Sequence, residues 1–87
     1  MKYYRSVTMN IKNTEQIGAV VRERRKYLKV TQKELAMTCG CGFRFIIDLE
    51  KGKATCHVGK ILQVLQALGL QIRIDVPVLE GRGGDKQ

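Results

Sequence analysis

Apolar residues recur at intervals of three and four along much of the chain, a spacing that predicts amphipathic helices. The first predicted helix begins after Asn13 or Thr14, either of which offers an N-cap. Its apolar face is expected to hold Ile17, Val20, Val21 and Leu28. A capping box formed by Thr31 and Glu34 starts the second helix, and Gly40 ends it in a left-handed conformation.

The third and fourth predicted helices are also bounded by turn and cap residues. Gly42 and Gly52 delimit the third helix. Its inner side is expected to hold Phe45, Ile46 and Leu49, and its outer side Phe43, Arg44, Ile47, Asp48 and Lys51. The fourth helix is expected to start at a Thr55 cap and to stop at Gly69. Its predicted core stripe is Val58, Ile61, Leu62, Leu65 and Leu68.

The pattern changes to strict alternation after the fourth helix, which predicts a β-strand over residues 70–77. Its apolar face carries Leu70, Ile72, Ile74 and Val76. A lone strand is unstable in water, so this strand is expected to pair either with residues 7–11 or with its copy in a dimer. Residues 1–13 form an arm or a short strand, residues 14–69 the helical domain, and residues 78–87 a flexible tail.

The balance of charge favours a polyanionic partner. Sixteen Lys and Arg against eight Asp and Glu give a net charge of +8, which is typical of proteins that bind nucleic acid. The sequence contains neither an apolar run long enough to span a membrane nor the apolar segment of a signal peptide. A cytoplasmic protein that does not interact with membranes is therefore expected.

The cysteines do not indicate a metal site, a cofactor or a disulfide framework. Cys39, Cys41 and Cys56 are odd in number, and their spacing differs from that of a zinc knuckle even with His57 as a fourth ligand. We expect reduced thiols with no metal. Cys56 and His57 share a helix start where a thiolate could be stabilised, but no element that would form a cleft accompanies them. We therefore do not expect an enzyme.

The second and third predicted helices, joined by the segment "GCG", form a helix-turn-helix candidate. The third helix would lie in the major groove, where Arg44 can donate two hydrogen bonds to guanine, and Phe43 and Ile47 can pack on thymine methyl groups. Alternatively, Phe43 belongs to the core and a protein partner covers Ile47. Asp48 is expected to pair with Arg44 rather than with cytosine.

Three further residues of this candidate carry expected roles. Gln32, at the start of the second helix, either reaches a base or braces the third helix. Lys51 and Lys53 are expected to contact phosphates.

The stretches "TQKELA", "GCGFRFIIDLEKGKAT" and "KILQVLQALGL" resemble Xre/Cro-type helix-turn-helix domains. Within that family, "FIIDLEKGK" followed by "VGKILQVLQALGLQI" is most similar to HipB-type antitoxins. The resemblance covers about residues 14–76. It implies a mainly α, lambda-repressor-like domain of four or five helices, with a C-terminal β-strand paired across a dimer.

The resemblance also assigns roles to individual residues. It implies that Gln32 lies near DNA and that Gly42, Phe43, Arg44 and Ile47 face bases or the DNA backbone. Together with the roles expected from the residues themselves, this assigns base contacts to Gln32, Phe43, Arg44 and Ile47, and backbone contacts to Thr31, Gly42, Lys51 and Lys53. It further implies an ion pair between Glu50 and Arg25. The chain departs from the family at Gly42, Phe43 and Ile47, where polar residues are frequent. It also departs at Lys29, which replaces a common glycine and predicts a strained turn.

HipB-type antitoxins bind operator DNA as dimers and also bind a HipA-type serine/threonine kinase toxin. The resemblance therefore implies a repressor of its own operon that binds a palindromic operator as a homodimer and neutralises such a kinase, intact or split. Two alternatives remain open. One is a stand-alone Xre-type repressor without a toxin. The other is a protein-interaction module that has lost DNA binding.

Overall fold

The computed structural model describes residues 7–79, and four α-helices account for all the regular secondary structure in that part of the chain. They are α1 (Thr14–Tyr27), α2 (Gln32–Cys39), α3 (Phe43–Glu50) and α4 (Val58–Ala67). The prediction of a mainly α helix-turn-helix domain is confirmed. None of these helices is long and apolar enough to cross a membrane.

Local hydrogen bonds explain where the first two helices begin and end. The side chain of Asn13 accepts a hydrogen bond from the backbone of Gln16. Thr31 and Glu34 form the complete capping box, with reciprocal backbone-to-side-chain distances of 2.9 and 3.0 Å. Gly40 ends α2 at φ 67°. These caps satisfy backbone groups that the helices themselves leave unpaired, and they confirm the predicted boundaries.

The start of α4 differs from the prediction. Its N-cap is His57 rather than Thr55. The reason lies in the preceding turn, where the backbone N–H of Cys56 donates to the carbonyl of Lys53 at 3.3 Å. Thr55 and Cys56 therefore belong to this turn, and α4 begins with the hydrogen bond from the N–H of Ile61 to the carbonyl of His57 at 3.0 Å. The other end agrees with the prediction, since Gly69 follows α4 at φ 75°.

The core lies between all four helices, and Val21, Ile46 and Val64 within it are fully buried. The complete set of buried apolar residues is Val21, Leu35, Ala36, Ile46, Leu49, Ile61, Val64, Leu65 and Leu68. The predicted stripe of α4 was wrong at two positions, because Val58 and Leu62 are exposed. Val64, which was not in that stripe, is buried in their place.

Leu28 was also wrongly placed in the core. It follows the last residue of α1, and Lys29 next to it adopts φ 61°. The backbone therefore turns away, and Val30 rather than Leu28 packs against the core.

The predicted strand is not formed within the described residues. Residues 7–12 and 70–79 belong to neither a helix nor a strand, so the structure does not show the alternative in which 7–11 pairs with the strand of the same chain. A strand requires a partner for its hydrogen bonds, and pairing with a second copy remains a prediction. Residues 1–6 of the predicted arm and residues 80–87 of the predicted tail lie outside the described residues.

Helix α1 fixes the position of the C-terminal end of α3. A β-carbon added at the buried Gly18 would lie 2.8 Å from the carbonyl oxygen of Glu50, so the two backbones are in direct contact there. The hydroxyl of Thr14 donates to the carbonyl of Gly52 at 2.7 Å. Both contacts hold α3 at a fixed orientation against α1.

Candidate nucleic-acid interface

Helix α3 has one face in the core and one face directed outward. Ile46 and Leu49 are buried, and Arg44 and Phe43 are exposed. The turn that joins α2 to α3 is short, because Gly40 in the left-handed conformation reverses the chain directly after α2. This arrangement holds α3 on the surface of a helix-turn-helix unit.

Phe43 is 42% exposed and is therefore not a core residue. The ammonium of Lys33 on α2 lies 5.9 Å from the centre of its ring, within range of a cation–π contact. Ile47, one turn further along α3, is half-buried. The outer face of α3 is thus apolar at its start and is flanked by cations.

Asp48 pairs with two cations near the C-terminal half of α3. Its Oδ1 lies 3.4 Å from Nε of Arg44, and its Oδ2 lies 3.6 Å from Nζ of Lys53. The pairing of Asp48 with Arg44 was the expected one. Contact with Lys53 was not predicted, although Gly52, at φ 80°, marks the turn that brings this lysine back toward Asp48.

Glu50 lies at the centre of a buried polar network. Its carboxylate accepts from Nε and Nη2 of Arg25 at 2.6 and 3.1 Å, and from Nε2 of Gln32 at 3.1 Å. Nη1 of Arg25 donates to the carbonyl of Val30 at 2.8 Å. Arg25 and Glu50 therefore form the ion pair that the resemblance implies. Gln32 braces α3, the second of the two roles considered for it.

The four residues expected near the DNA backbone form two groups. Thr31 and Gly42 are the exposed N-caps of α2 and α3, where unpaired backbone N–H groups favour an anion. Lys51 and Lys53 are exposed at the opposite end of α3. The eight residues of α3 separate Gly42 from the two lysines by roughly 12 Å, whereas Gln32 next to Thr31 bonds to Glu50 at the lysine end of α3.

Comparison with known proteins decides the family. No protein-family model matches the chain. The uncharacterized HTH-type transcriptional regulator y4mF of Sinorhizobium fredii is 54% identical over 67 residues, which make up 77% of this chain and 88% of that protein. The chain belongs to the HTH-type transcriptional regulators.

Solved structures identify the fold of this regulator as that of HipB. A HipB variant in complex with an O2 20mer superposes with a TM-score of 0.73 at 21% identity, covering 80% of this chain and 97% of that one. HipB in a HipA-HipB-O2-O3 complex superposes with a TM-score of 0.73 at 22% identity, covering 79% of this chain and 97% of that one. The Xre-type, HipB-like fold expected from the resemblance is confirmed.

The surroundings of Cys39 and Cys56 raise the pKa of both thiols. Burial, together with the neighbouring Cys41, raises the pKa of Cys39 to about 11. Burial likewise raises the pKa of Cys56, with Asp48 adding to the effect and Lys53 opposing it. The idea of a stabilised thiolate at Cys56 was therefore wrong. The described residues contain no cluster of three or more His, Cys, Asp or Glu that could hold a metal.

One arginine of α1 has a structural role that the sequence did not indicate. Nε of Arg24 donates to the carbonyl of Leu68 at 2.9 Å, just after the last residue of α4. A cation at this position also complements the negative end of the helix dipole. These residues are far apart in sequence, so spacing offers no signal for the contact.

Proposed function

We propose that this regulator represses its own operon as a cytoplasmic homodimer bound to a palindromic operator, and that it is the antitoxin of a HipA-type serine/threonine kinase, intact or split. The observation that carries the DNA-binding part is the outer face of α3, where Arg44 and Phe43 extend from a helix-turn-helix unit in a chain of net charge +8. Such a face needs a partner that is both polyanionic and able to cover apolar surface, and the major groove meets both needs.

Sequence recognition in this proposal comes from three side chains of α3. Arg44 donates two hydrogen bonds to guanine O6 and N7, and Phe43 and Ile47 cover thymine methyl groups. Gln32 supports them from α2. One N–H of its amide is bound to Glu50, which leaves the second N–H for a base edge or a phosphate.

Affinity that does not depend on sequence comes from the phosphate contacts. Thr31 and Gly42 present the N-termini of α2 and α3, and Lys51 and Lys53 add charge at the other end of α3. Each neutralised phosphate releases counterions, so binding through these residues falls as salt rises.

The chain that follows α4 supports a dimer. Ile72, Ile74 and Val76 are exposed, and Leu70 with Ile72 borders a groove of about 350 Å³ that continues along Leu62 and Leu65 of α4. Pairing this segment with its copy would bury the apolar row and supply the missing strand hydrogen bonds. A two-fold dimer would then place its two α3 helices about 34 Å apart, in successive major grooves.

The antitoxin role is supported by the likeness to HipB, since one of the similar structures is a HipA-HipB-O2-O3 complex. A stand-alone repressor would share the DNA-binding face and the dimer. The two proposals differ only in whether a kinase encoded beside the regulator binds it. Copurification of the regulator with that kinase, with and without operator DNA, separates them.

The DNA-binding proposal is tested by a salt-dependent titration on DNA from upstream of the regulator's own gene, against scrambled DNA. Arg44→Ala should lose about ten- to a hundredfold in affinity for the upstream DNA and much less for the scrambled DNA. Lys53→Ala should weaken binding to both DNAs and reduce the salt slope. The matched control is Arg22→Ala, which removes an exposed arginine from α1. Equal, weak binding of the parent to both DNAs would favour a protein-docking surface instead.

The dimer is tested by a charge placed in the apolar row. Ile74 is 82% exposed, so Ile74→Lys should leave the helical domain folded and shift the protein to a monomer in sedimentation equilibrium. Asp75→Lys is the matched control, because Asp75 is exposed outside the groove and alternation places it on the opposite face of a strand. A dimer that survives Ile74→Lys would refute pairing through this segment.

A further inference from the structure

A single carboxylate lies between two cations of the proposed DNA-binding face. Asp48 contacts Arg44 through Oδ1 at 3.4 Å and Lys53 through Oδ2 at 3.6 Å. The side chain of Asp48 is only 18% exposed, whereas that of Arg44 is 77% exposed. The acid is thus held in place by its surroundings, and the arginine extends past it toward solvent.

The ion pair between Asp48 and Arg44 adds little to the stability of the fold, because exposed pairs are screened by water and restrict long side chains. Its geometry has a clearer consequence for binding. Asp48 contacts the Nε side of the guanidinium, which leaves the Nη1 and Nη2 groups for the paired hydrogen bonds to guanine O6 and N7. An arginine already restricted in this way loses less rotamer freedom when it binds.

The charge of Asp48 also favours binding to the correct sequence over other DNA. A carboxylate between Arg44 and Lys53 opposes the attraction of both cations for phosphates, which is the source of affinity for any sequence. Asp48 therefore lowers the affinity for all DNA, and only at the correct base do the paired hydrogen bonds of Arg44 offset that loss. Unfavourable interactions of this kind raise the discrimination between partners.

We propose that Asp48 is a positioning residue that sets the sequence selectivity of the regulator through Arg44. It aligns the guanidinium for guanine and weakens phosphate binding by Arg44 and Lys53. This inference rests on the proposed base-contacting role of Arg44. It requires no contact between Asp48 and DNA.

The test compares the parent with Asp48→Asn (D48N), Asp48→Glu and Arg44→Ala. Each protein first selects duplexes from a randomised DNA pool, and its affinity is then measured for the parent's best duplex and for a scrambled duplex. We expect D48N to bind scrambled DNA more tightly. Its ratio of selected to scrambled affinity should fall about tenfold, within the range for one base contact. Asp48→Glu keeps the carboxylate and should recover part of the ratio.

A double variant separates positioning from direct contact. If Asp48 acts through Arg44, D48N should leave the ratio unchanged when Arg44→Ala is also present. Glu23→Gln, on the exposed surface of α1, controls for the change in net charge, and thermal unfolding controls for the fold.

The outcomes distinguish this inference from the function on which it rests. If the parent discriminates between duplexes but D48N keeps the full ratio, positioning by Asp48 is refuted and the proposed function stands. A D48N effect of equal size in the Arg44→Ala background would mean that Asp48 acts without Arg44, which also refutes the inference. A parent that binds every duplex alike would refute the base-contacting role of Arg44 and this inference together.

Discussion

Removal of the Glu50 carboxylate is expected to destabilise the regulator more than loss of any exposed charge. The carboxylate accepts three hydrogen bonds, two from Arg25 and one from Gln32. The side chains of Glu50 and Arg25 are only 4% and 11% exposed. Glu50→Ala therefore leaves a guanidinium in a nearly water-free site, where the acceptor that remains to it among residues 7–79 is the carbonyl of Val30.

The expected loss of stability follows from the burial of the ion pair between Arg25 and Glu50. Loss of one partner from a buried ion pair costs about 3–5 kcal/mol, because the remaining charge stays desolvated. A chain of 87 residues has a free energy of unfolding of roughly 4–13 kcal/mol, at about 0.05–0.15 kcal/mol per residue. Glu50→Ala should therefore remove a large part of the stability.

Urea denaturation followed by circular dichroism measures this loss. The matched control is Glu23→Ala on the exposed face of α1, which should change the free energy of unfolding by less than about 0.5 kcal/mol.

Arg25→Met alone should also destabilise the folded regulator. The double variant Arg25→Met/Glu50→Leu should cost much less than the two single changes together, since apolar residues often replace a buried ion pair without loss. A loss below about 1 kcal/mol for Glu50→Ala would refute the reasoning, because that value is typical of a surface pair.

Two further predictions concern backbone strain and thiol ionisation. Lys29→Gly should raise the free energy of unfolding by about 0.5–1 kcal/mol. Relief of the left-handed strain at φ 61° outweighs the added freedom of the unfolded chain. Thermal unfolding measures the change, and a stability that is unchanged or lower would contradict this prediction. Cys39 has its pKa raised from 9.0 to about 11 by burial and by Cys41, so its contribution to stability is complete below pH 9 and is lost as pH rises toward 11. Urea titrations at about pH 8 and pH 10 should show a smaller loss for Cys39→Ala than for the parent, and equal losses would refute the assignment.

Local signals in the sequence predicted the helix-turn-helix unit well. The Thr31–Glu34 capping box and the left-handed Gly40 satisfy backbone requirements within a few residues, so they act independently of the rest of the fold. The two faces of α3 also followed from periodicity, because Ile46 and Leu49 fall on the side opposite Arg44.

Contacts between distant segments could not be predicted in this way. Val58 and Leu62 share the period of the core residues, but the other helices do not cover that side of α4. Arg24 and Leu68 meet only because α1 passes the end of α4. The segment after Gly69 has the alternation of a strand, yet alternation specifies a face and does not supply a hydrogen-bonding partner.

The contact at Gly18 has a consequence for how this scaffold can change its target sequence. With only a hydrogen atom between α1 and the last carbonyls of α3, the tilt of α3 is set by two rigid backbones that cannot be adjusted by rotamer changes. Under the proposed function, engineers who seek a new operator preference should therefore keep glycine at position 18 and vary the outward side chains of α3. A methyl group at that position would displace one end of α3, and under the proposed function it would shift the base-contacting side chains of that helix together.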